Sequence, residues 1–228
     1  MSKRPSKLII CYLVFLHLLV VYGLYHYGIE SPPPNLPPNP YYDSFKLLLA
    51  ELDGKMSPGG TVFLGDSITQ LLPVKSLSPD AVNFGIGGDS AKGLAERVGS
   101  YKSLETAKVL VIQIGTNDVL SGAPGYEQDF TRLAEALPAA PVIYWYAVPP
   151  LDGTIEKRAN LNRIKDLNKL IENLCRARAK CVFVDLTGKY SDGLGNLRTE
   201  FHIGDGIHLN AKGYEIWIQS LRENLIGE

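Results

Sequence analysis

Five short apolar runs, at residues 61–65, 81–84, 109–114, 142–147 and 182–185, alternate with longer stretches in which apolar side chains recur at helical spacing. The run Val109-Leu110-Val111-Ile112-Gln113-Ile114 is nearly continuous and β-branched, the pattern of a strand buried on both faces. The clearest helical stripes are Tyr126, Phe130, Leu133, Ala134 and Leu137, then Ile155, Leu161, Ile164, Leu167, Ile171 and Leu174. Such alternation predicts five parallel strands with helices on both faces. Tyr144, Trp145 and Tyr146 then read as packing, and Val148-Pro149-Pro150-Leu151 as a rigid loop past the fourth strand, with a wall of an acyl pocket as its other reading.

In such folds ligands collect beyond the C-terminal ends of the strands, and that is where the reactive residue types stand. Gly65-Asp66-Ser67 follows the first run, and reads either as a strand-to-helix turn with an N-cap or as a nucleophile site. Gly87-Gly88-Asp89 follows the second, where glycine lets a bare N–H approach a ligand and also suits a tight turn. Gly115-Thr116-Asn117-Asp118 follows the third, and the Asn117 amide there could donate to a developing oxyanion. A serine needs a base. Of four histidines, His17 and His26 fall in an N-terminal apolar segment, leaving His202 and His208. Asp205 stands three residues before His208, close enough to fold back on the ring and fix its tautomer. A polar helix turn, or a metal site from His202, Asp205 and His208, are the rival readings. No further His or Cys cluster nearby would complete a coordination shell, so no metal is assigned.

Leu64-Gly65-Asp66-Ser67-Ile68-Thr69-Gln70 and Asn83-Phe84-Gly85-Ile86-Gly87-Gly88-Asp89, with the two later segments in this order, resemble the SGNH (GDSL-like) hydrolase family, closest to its platelet-activating-factor acetylhydrolase-like branch. The resemblance spans about residues 60–225. It implies a flavodoxin-like three-layer α/β/α sandwich with a five-stranded parallel sheet. It also implies Ser67 as nucleophile, Asp205 and His208 as acid and base, and the Ser67 N–H, Gly88 and Asn117 as the oxyanion hole. The expected activity is that of a carboxylic ester hydrolase acting on short acyl or acetyl esters without metal or organic cofactor. Lipid and acetylated carbohydrate esters are both candidate substrates. Lysophospholipase or thioesterase action on longer chains is an alternative, and a noncatalytic carbohydrate- or lipid-binding module a more distant one. A nucleotide-binding flavodoxin-like domain would need a phosphate loop, and Gly-Gly-Asp-Ser-Ala-Lys-Gly is not a Walker pattern. The G-x-S-x-G elbow of the α/β-hydrolases is also absent, since Thr69 stands where its second glycine would be.

A net charge of −1 gives no electrostatic case for nucleic acid. Lys3, Arg4 and Lys7 precede Leu8–Ile29, which holds no acidic residue, lysine or arginine. At about 1.5 Å per residue this makes roughly 33 Å of helix, enough to cross a bilayer. The expectation is therefore an N-terminal transmembrane helix and signal anchor over residues 1–29, with a cleaved signal peptide as the rival reading, although no A-x-A-like site follows the apolar stretch. Its basic flank would keep the N-terminus inside and the catalytic domain outside the cytoplasm, on the periplasmic or extracellular face. Residues 30–40, with six prolines between Ser31 and Pro40, read as an extended linker, and residues 41–228 as the hydrolase domain. Cys175 and Cys181 flank a predicted helix-to-strand turn, and their spacing leaves a disulfide open.

Overall fold

A computed structural model describes residues 40–226. Five strands, β1 (Thr61–Gly65), β2 (Val82–Gly85), β3 (Val109–Gln113), β4 (Val142–Tyr146) and β5 (Cys181–Val184), form one sheet in the order β2-β1-β3-β4-β5. Every neighbouring pair is parallel. This is the three-layer α/β/α sandwich with a five-stranded sheet that the sequence predicts.

The pleat sends alternate residues to opposite faces, so each strand feeds two cores. Val62, Leu64, Phe84, Leu110, Ile112, Ile143 and Trp145 pack on one side, beneath α1 (Pro40–Asp53), α3 (Ala91–Val98), α6 (Tyr126–Ala136) and α7 (Leu161–Arg176). Phe63, Val109, Val111, Tyr144 and Tyr146 pack on the other with Tyr190, Trp217 and Leu221. Tyr190 ends the short α8 (Thr187–Tyr190), and the other two lie on α9 (Ala211–Ile226). Three further short α-helices, α2 (Ser67–Gln70), α4 (Ser103–Thr106) and α5 (Thr116–Ser121), and two 3-10 turns, Val74–Ser76 and Thr199–Phe201, complete the helical elements among the described residues. Tyr144, Trp145 and Tyr146 are all buried, as packing residues should be. Val148 and Leu151 are buried too, and the Asn168 amide of α7 holds both the Val148 N–H and its carbonyl.

Two expectations need correction. Ile155 does not belong to the α7 stripe, because α7 begins at Leu161 with Asn160 as N-cap, and Ile155 lies exposed in the preceding loop. The Ile155 and Glu156 N–H groups close turns on the Asp152 carbonyl and the Ala159 N–H closes another on Glu156, so the chain turns between Ile155 and the Asn160 cap and the apparent periodicity is a coincidence of spacing. The fold class is also corrected at its N-terminal end. Among the described residues no helix is long and apolar enough to cross a membrane, and the fold they form is the sandwich alone. The segment Leu8–Ile29, on which the expected transmembrane helix was placed, lies outside the described residues, as does nearly all of the proline-rich stretch.

Cys175, in the last turn of α7, and Cys181, the first residue of β5, form a disulfide with their Cα atoms 5.2 Å apart. It closes a short loop, and loop-closure entropy assigns a cross-link of that length about 2 kcal/mol. The double variant Cys175→Ser/Cys181→Ser should therefore unfold about 4–8 °C lower in a thermal melt. Wild-type protein melted in reductant should lose the same amount. A variant melting at the wild-type temperature would mean that the α7–β5 turn is held by its packing alone.

Candidate active site

The strand register fixes where the site must be. Gly65 pairs with Gly85 on one side and with Gln113 on the other, so β1, β2 and β3 end level with one another. Ser67, Gly88 and Asn117 lie two, three and four residues beyond those ends. They therefore share one edge of the sheet, where the strand order reverses around β1.

Asp66 ends the first strand-to-helix turn. Its Oδ1 accepts the Ile68 N–H at 3.0 Å, capping α2 and setting Ser67 as that helix's first residue. The turn is tight enough that a Cβ on Gly65 would overlap the Gln113 carbonyl and the Thr69 hydroxyl, so glycine is required there. The Asn83 amide donates to the Thr69, Gln70 and Leu72 carbonyls and fastens α2 to β2.

Asp205 and His208 arrive on the loop before α9, which an antiparallel bridge between His202 and Leu209 closes at its base. Asp205 Oδ1 accepts the Ile207 and His208 N–H groups at 3.0 and 2.9 Å, while its Oδ2 faces His208 Nδ1 at 2.6 Å. The other ring nitrogen, Nε2, stands 2.9 Å from Ser67 Oγ. A proton on Nδ1, toward the carboxylate, leaves Nε2 as the acceptor for the serine hydroxyl. Burial alone would raise the Asp205 carboxyl. Hydrogen bonds from the His208 ring and from the two amides outweigh it, and hold the group below the ordinary carboxylate range. Asp205 thus stays anionic facing the ring.

His202 is directed elsewhere. Its Nδ1 accepts the Gly204 and Gly206 N–H groups at 3.0 and 3.2 Å, and its Nε2 faces the buried Asp152 carboxylate at 3.4 Å. The ring is thereby a brace for the loop that carries Asp205 and His208. Among the described residues no group of three His, Cys, Asp or Glu side chains is placed to hold a metal.

Gly88 sits in a tight turn closed by the Asp89 N–H on the Ile86 carbonyl, with φ +80, a conformation that favours glycine. The N–H groups around it are committed: Gly87 to Gln70 Oε1, Asp89 to Ile86, Ser90 to its neighbour Asp89, and Ala91 to Asp118. Among the described residues the Gly88 N–H has no such partner, which leaves it to face a ligand. Asn117 Nδ2 donates to the Asp89 carbonyl at 2.8 Å, which fixes the amide and leaves its second hydrogen for a ligand.

The residue that organises this turn was not legible in the motifs. Asp89 Oδ2 accepts from Arg97 Nε at 2.9 Å and pairs with Nη2 at 2.9 Å, and both side chains are fully buried. Arg97 also reaches the Gly65 carbonyl, joining the turn after β2 to the end of β1. An Asp-Arg spacing of eight crosses from loop to helix and carries no periodic signal.

Burial pushes Asp66 up to about 7, against the opposing pull of the Ile68 amide and of Thr116. Burial likewise raises Asp118 to about 6. A carboxyl raised in the folded state costs nothing below its unfolded pKa near 4, where both states hold the proton. As pH climbs from about 4 to 7 the unfolded chain ionises first, so stability falls across that window. Asp66→Asn keeps the oxygen that caps Ile68 and removes the titration. In urea unfolding it should gain stability over wild type at pH 8 and little at pH 5. Parallel pH curves for the two proteins would overturn the assignment.

The model of the GDSL-like lipase/acylhydrolase family matches residues 63–216. Platelet-activating factor acetylhydrolase IB subunit alpha1 of Rattus norvegicus is 27% identical over 195 residues, covering 76% of this chain and 78% of the relative. Two solved structures share the fold. A GDSL-like lipase from Bacteroides thetaiotaomicron matches with TM-score 0.63 at 21% identity, over 80% of this chain and 97% of that one. The acetylxylan esterase Axe2 from Geobacillus stearothermophilus, solved as a catalytic mutant, matches with TM-score 0.56 at 19% identity, over 74% and 94%.

Proposed function

The chain belongs to the GDSL-like lipase/acylhydrolase family and is a hydrolase, and from that premise we propose that it cleaves short acyl esters, above all acetyl esters, through Ser67, His208 and Asp205. The observation that carries the reading is the unbroken chain of contacts from Ser67 Oγ to His208 Nε2 at 2.9 Å, and from His208 Nδ1 to Asp205 Oδ2 at 2.6 Å. His208 takes the serine proton as Oγ attacks the ester carbonyl. The N–H groups of Ser67 and Gly88 and the Asn117 amide hold the oxyanion. His208 then gives its proton to the departing alcohol. Water, deprotonated by the same ring, releases the acid from the serine.

The preference for short chains is supported by the framing of the triad. The connections after β1, β2 and β3 run directly into helices, and the longer stretch after β4 is tied to the His208 loop through Asp152 N–H on the Gly206 carbonyl. Among the described residues, none of these connections carries a long helix or strand of its own that could serve as a lid. The names of the acetylhydrolase relative and the acetylxylan esterase assign both to acetyl groups, which points the same way. The Cys175–Cys181 disulfide supports a working place outside a reducing cytoplasm.

Rates on p-nitrophenyl esters from acetate to decanoate, with acetyl release from acetylated polysaccharide and from an acetyl-phospholipid, test the reading. The expected result is a maximum at acetate or butyrate. A rate climbing to decanoate would favour a longer-chain lysophospholipase or thioesterase.

A further inference from the structure

Helix α1 precedes residues 63–216, the stretch matched to the family, yet two consecutive tyrosines of its first turn reach the loop that carries Gly88. Tyr42 donates its hydroxyl to Asp89 Oδ1 at 3.1 Å, the same oxygen that accepts the Ser90 N–H. Tyr41 donates to Gln70 Oε1 at 2.9 Å, the same oxygen that accepts the Gly87 N–H at 2.9 Å. Each phenol therefore adds a second donor to an acceptor that already fixes backbone on one side or the other of Gly88. The far end of α1 is pinned separately. Asp53 accepts the Lys102 and Ser103 N–H groups at 2.8 and 3.0 Å at the start of α4. Leu49 is buried between the two ends, while Leu47, Leu48 and Leu52 are exposed.

Packing alone would not call for the hydroxyls, since phenylalanine fills the same space. Polar groups aimed at an oxyanion turn matter because a donor must stand within a few tenths of an ångström of where the charge develops. We propose that Tyr42, with Tyr41 beside it, is a positioning residue for acyl transfer: through Asp89 and Gln70 the first turn of α1 holds the Gly87–Asp89 turn so that the Gly88 N–H meets the oxyanion. The proposal rests on the reading of Ser67 as nucleophile and Gly88 as oxyanion donor.

The test uses the full chain and the variants Tyr42→Phe, Tyr41→Phe and both together, with p-nitrophenyl acetate as substrate. Active sites are counted by complete reaction with a fluorophosphonate, so that misfolded protein does not enter kcat. An interaction felt only in the transition state lowers kcat and leaves KM unchanged. Losing one oxyanion donor outright costs about 10²–10³-fold, and a donor left in place but less well held should cost less, about tenfold for Tyr42→Phe. KM should stay within about twofold. The fold should survive, because Asp89 retains Arg97 and the Ser90 N–H. Wild-type kcat per counted site in the double variant, or a raised KM at unchanged kcat, overturns the proposal. Ser67→Ala, run alongside, separates the two failures. An active Ser67→Ala would bring down the reading of the site itself, whereas an inactive one beside a fully active double variant would bring down only the role of α1.

Discussion

Ser67→Ala is expected to abolish ester hydrolysis, lowering kcat by about 10⁴–10⁶-fold while leaving the melting temperature within a few degrees of wild type. The serine hydroxyl has His208 as its hydrogen-bond partner among the described residues and is half-buried, so its removal opens no cavity in the core. His208→Ala should lose a comparable amount, and the double variant little more, because nucleophile and base act as one unit. Fluorophosphonate labelling should disappear with Ser67→Ala. His202→Ala should behave differently. It releases the Gly204 and Gly206 N–H groups from their buried acceptor and removes the ring facing Asp152 Oδ2, leaving that buried carboxylate to Thr154. Its effect should therefore be read mainly as a lower melting temperature. Equal losses of kcat per folded molecule at both histidines would contradict this division of roles, and so would labelling that persists in Ser67→Ala.

How much of this the sequence carried depends on the kind of signal. The strands were legible because runs such as Val109–Gln113 are apolar on both faces and bounded by turn residues, and α6 because Phe130, Leu133 and Ala134 fall on one side of it. The residues proposed as the triad could be picked out because they stand in compact local motifs: Ser67 beside Asp66 at a strand end, and Asp205 three residues before His208. Helix α1 was not, since of its apolar residues Leu49 is buried while Leu47, Leu48 and Leu52 are exposed, which blurs any stripe. Its attachment is polar, through Tyr42 and Asp53 to partners 47 to 50 residues away, and such pairs leave no periodicity. The same holds for Asn83, whose amide serves the Thr69 and Gln70 carbonyls of α2 and the Leu72 carbonyl just past it. Local chemistry announces a site, whereas the contacts that hold it in register are long-range and specific to the folded chain.

Arg97 is where that long-range part should show its largest effect. Its side chain is fully buried against Asp89, and it also meets the Tyr101 hydroxyl and the Gly65 carbonyl. Arg97→Ala strands a carboxylate in the interior, which typically costs about 3–5 kcal/mol and for a domain of this size lowers the melting temperature by roughly 6–20 °C. The loss should depend on pH in a defined direction. Burial already raises the Asp89 carboxyl, and Arg97 is the main group opposing that rise. Without the guanidinium the folded state favours the protonated acid more strongly, so between the unfolded pKa near 4 and the new folded value stability falls as pH increases. Arg97→Ala should accordingly be more destabilised in urea at pH 8 than at pH 5, relative to wild type at each pH. Arg97→Met/Asp89→Asn removes both charges at similar volume, and should recover part of the loss, since the penalty lies in the unpaired ion rather than in the missing pair. A single variant equally unstable at both pH values, with no recovery in the double, would mean that Arg97 acts through its packing and its bonds to Tyr101 and Gly65 instead of as the counter-charge of Asp89.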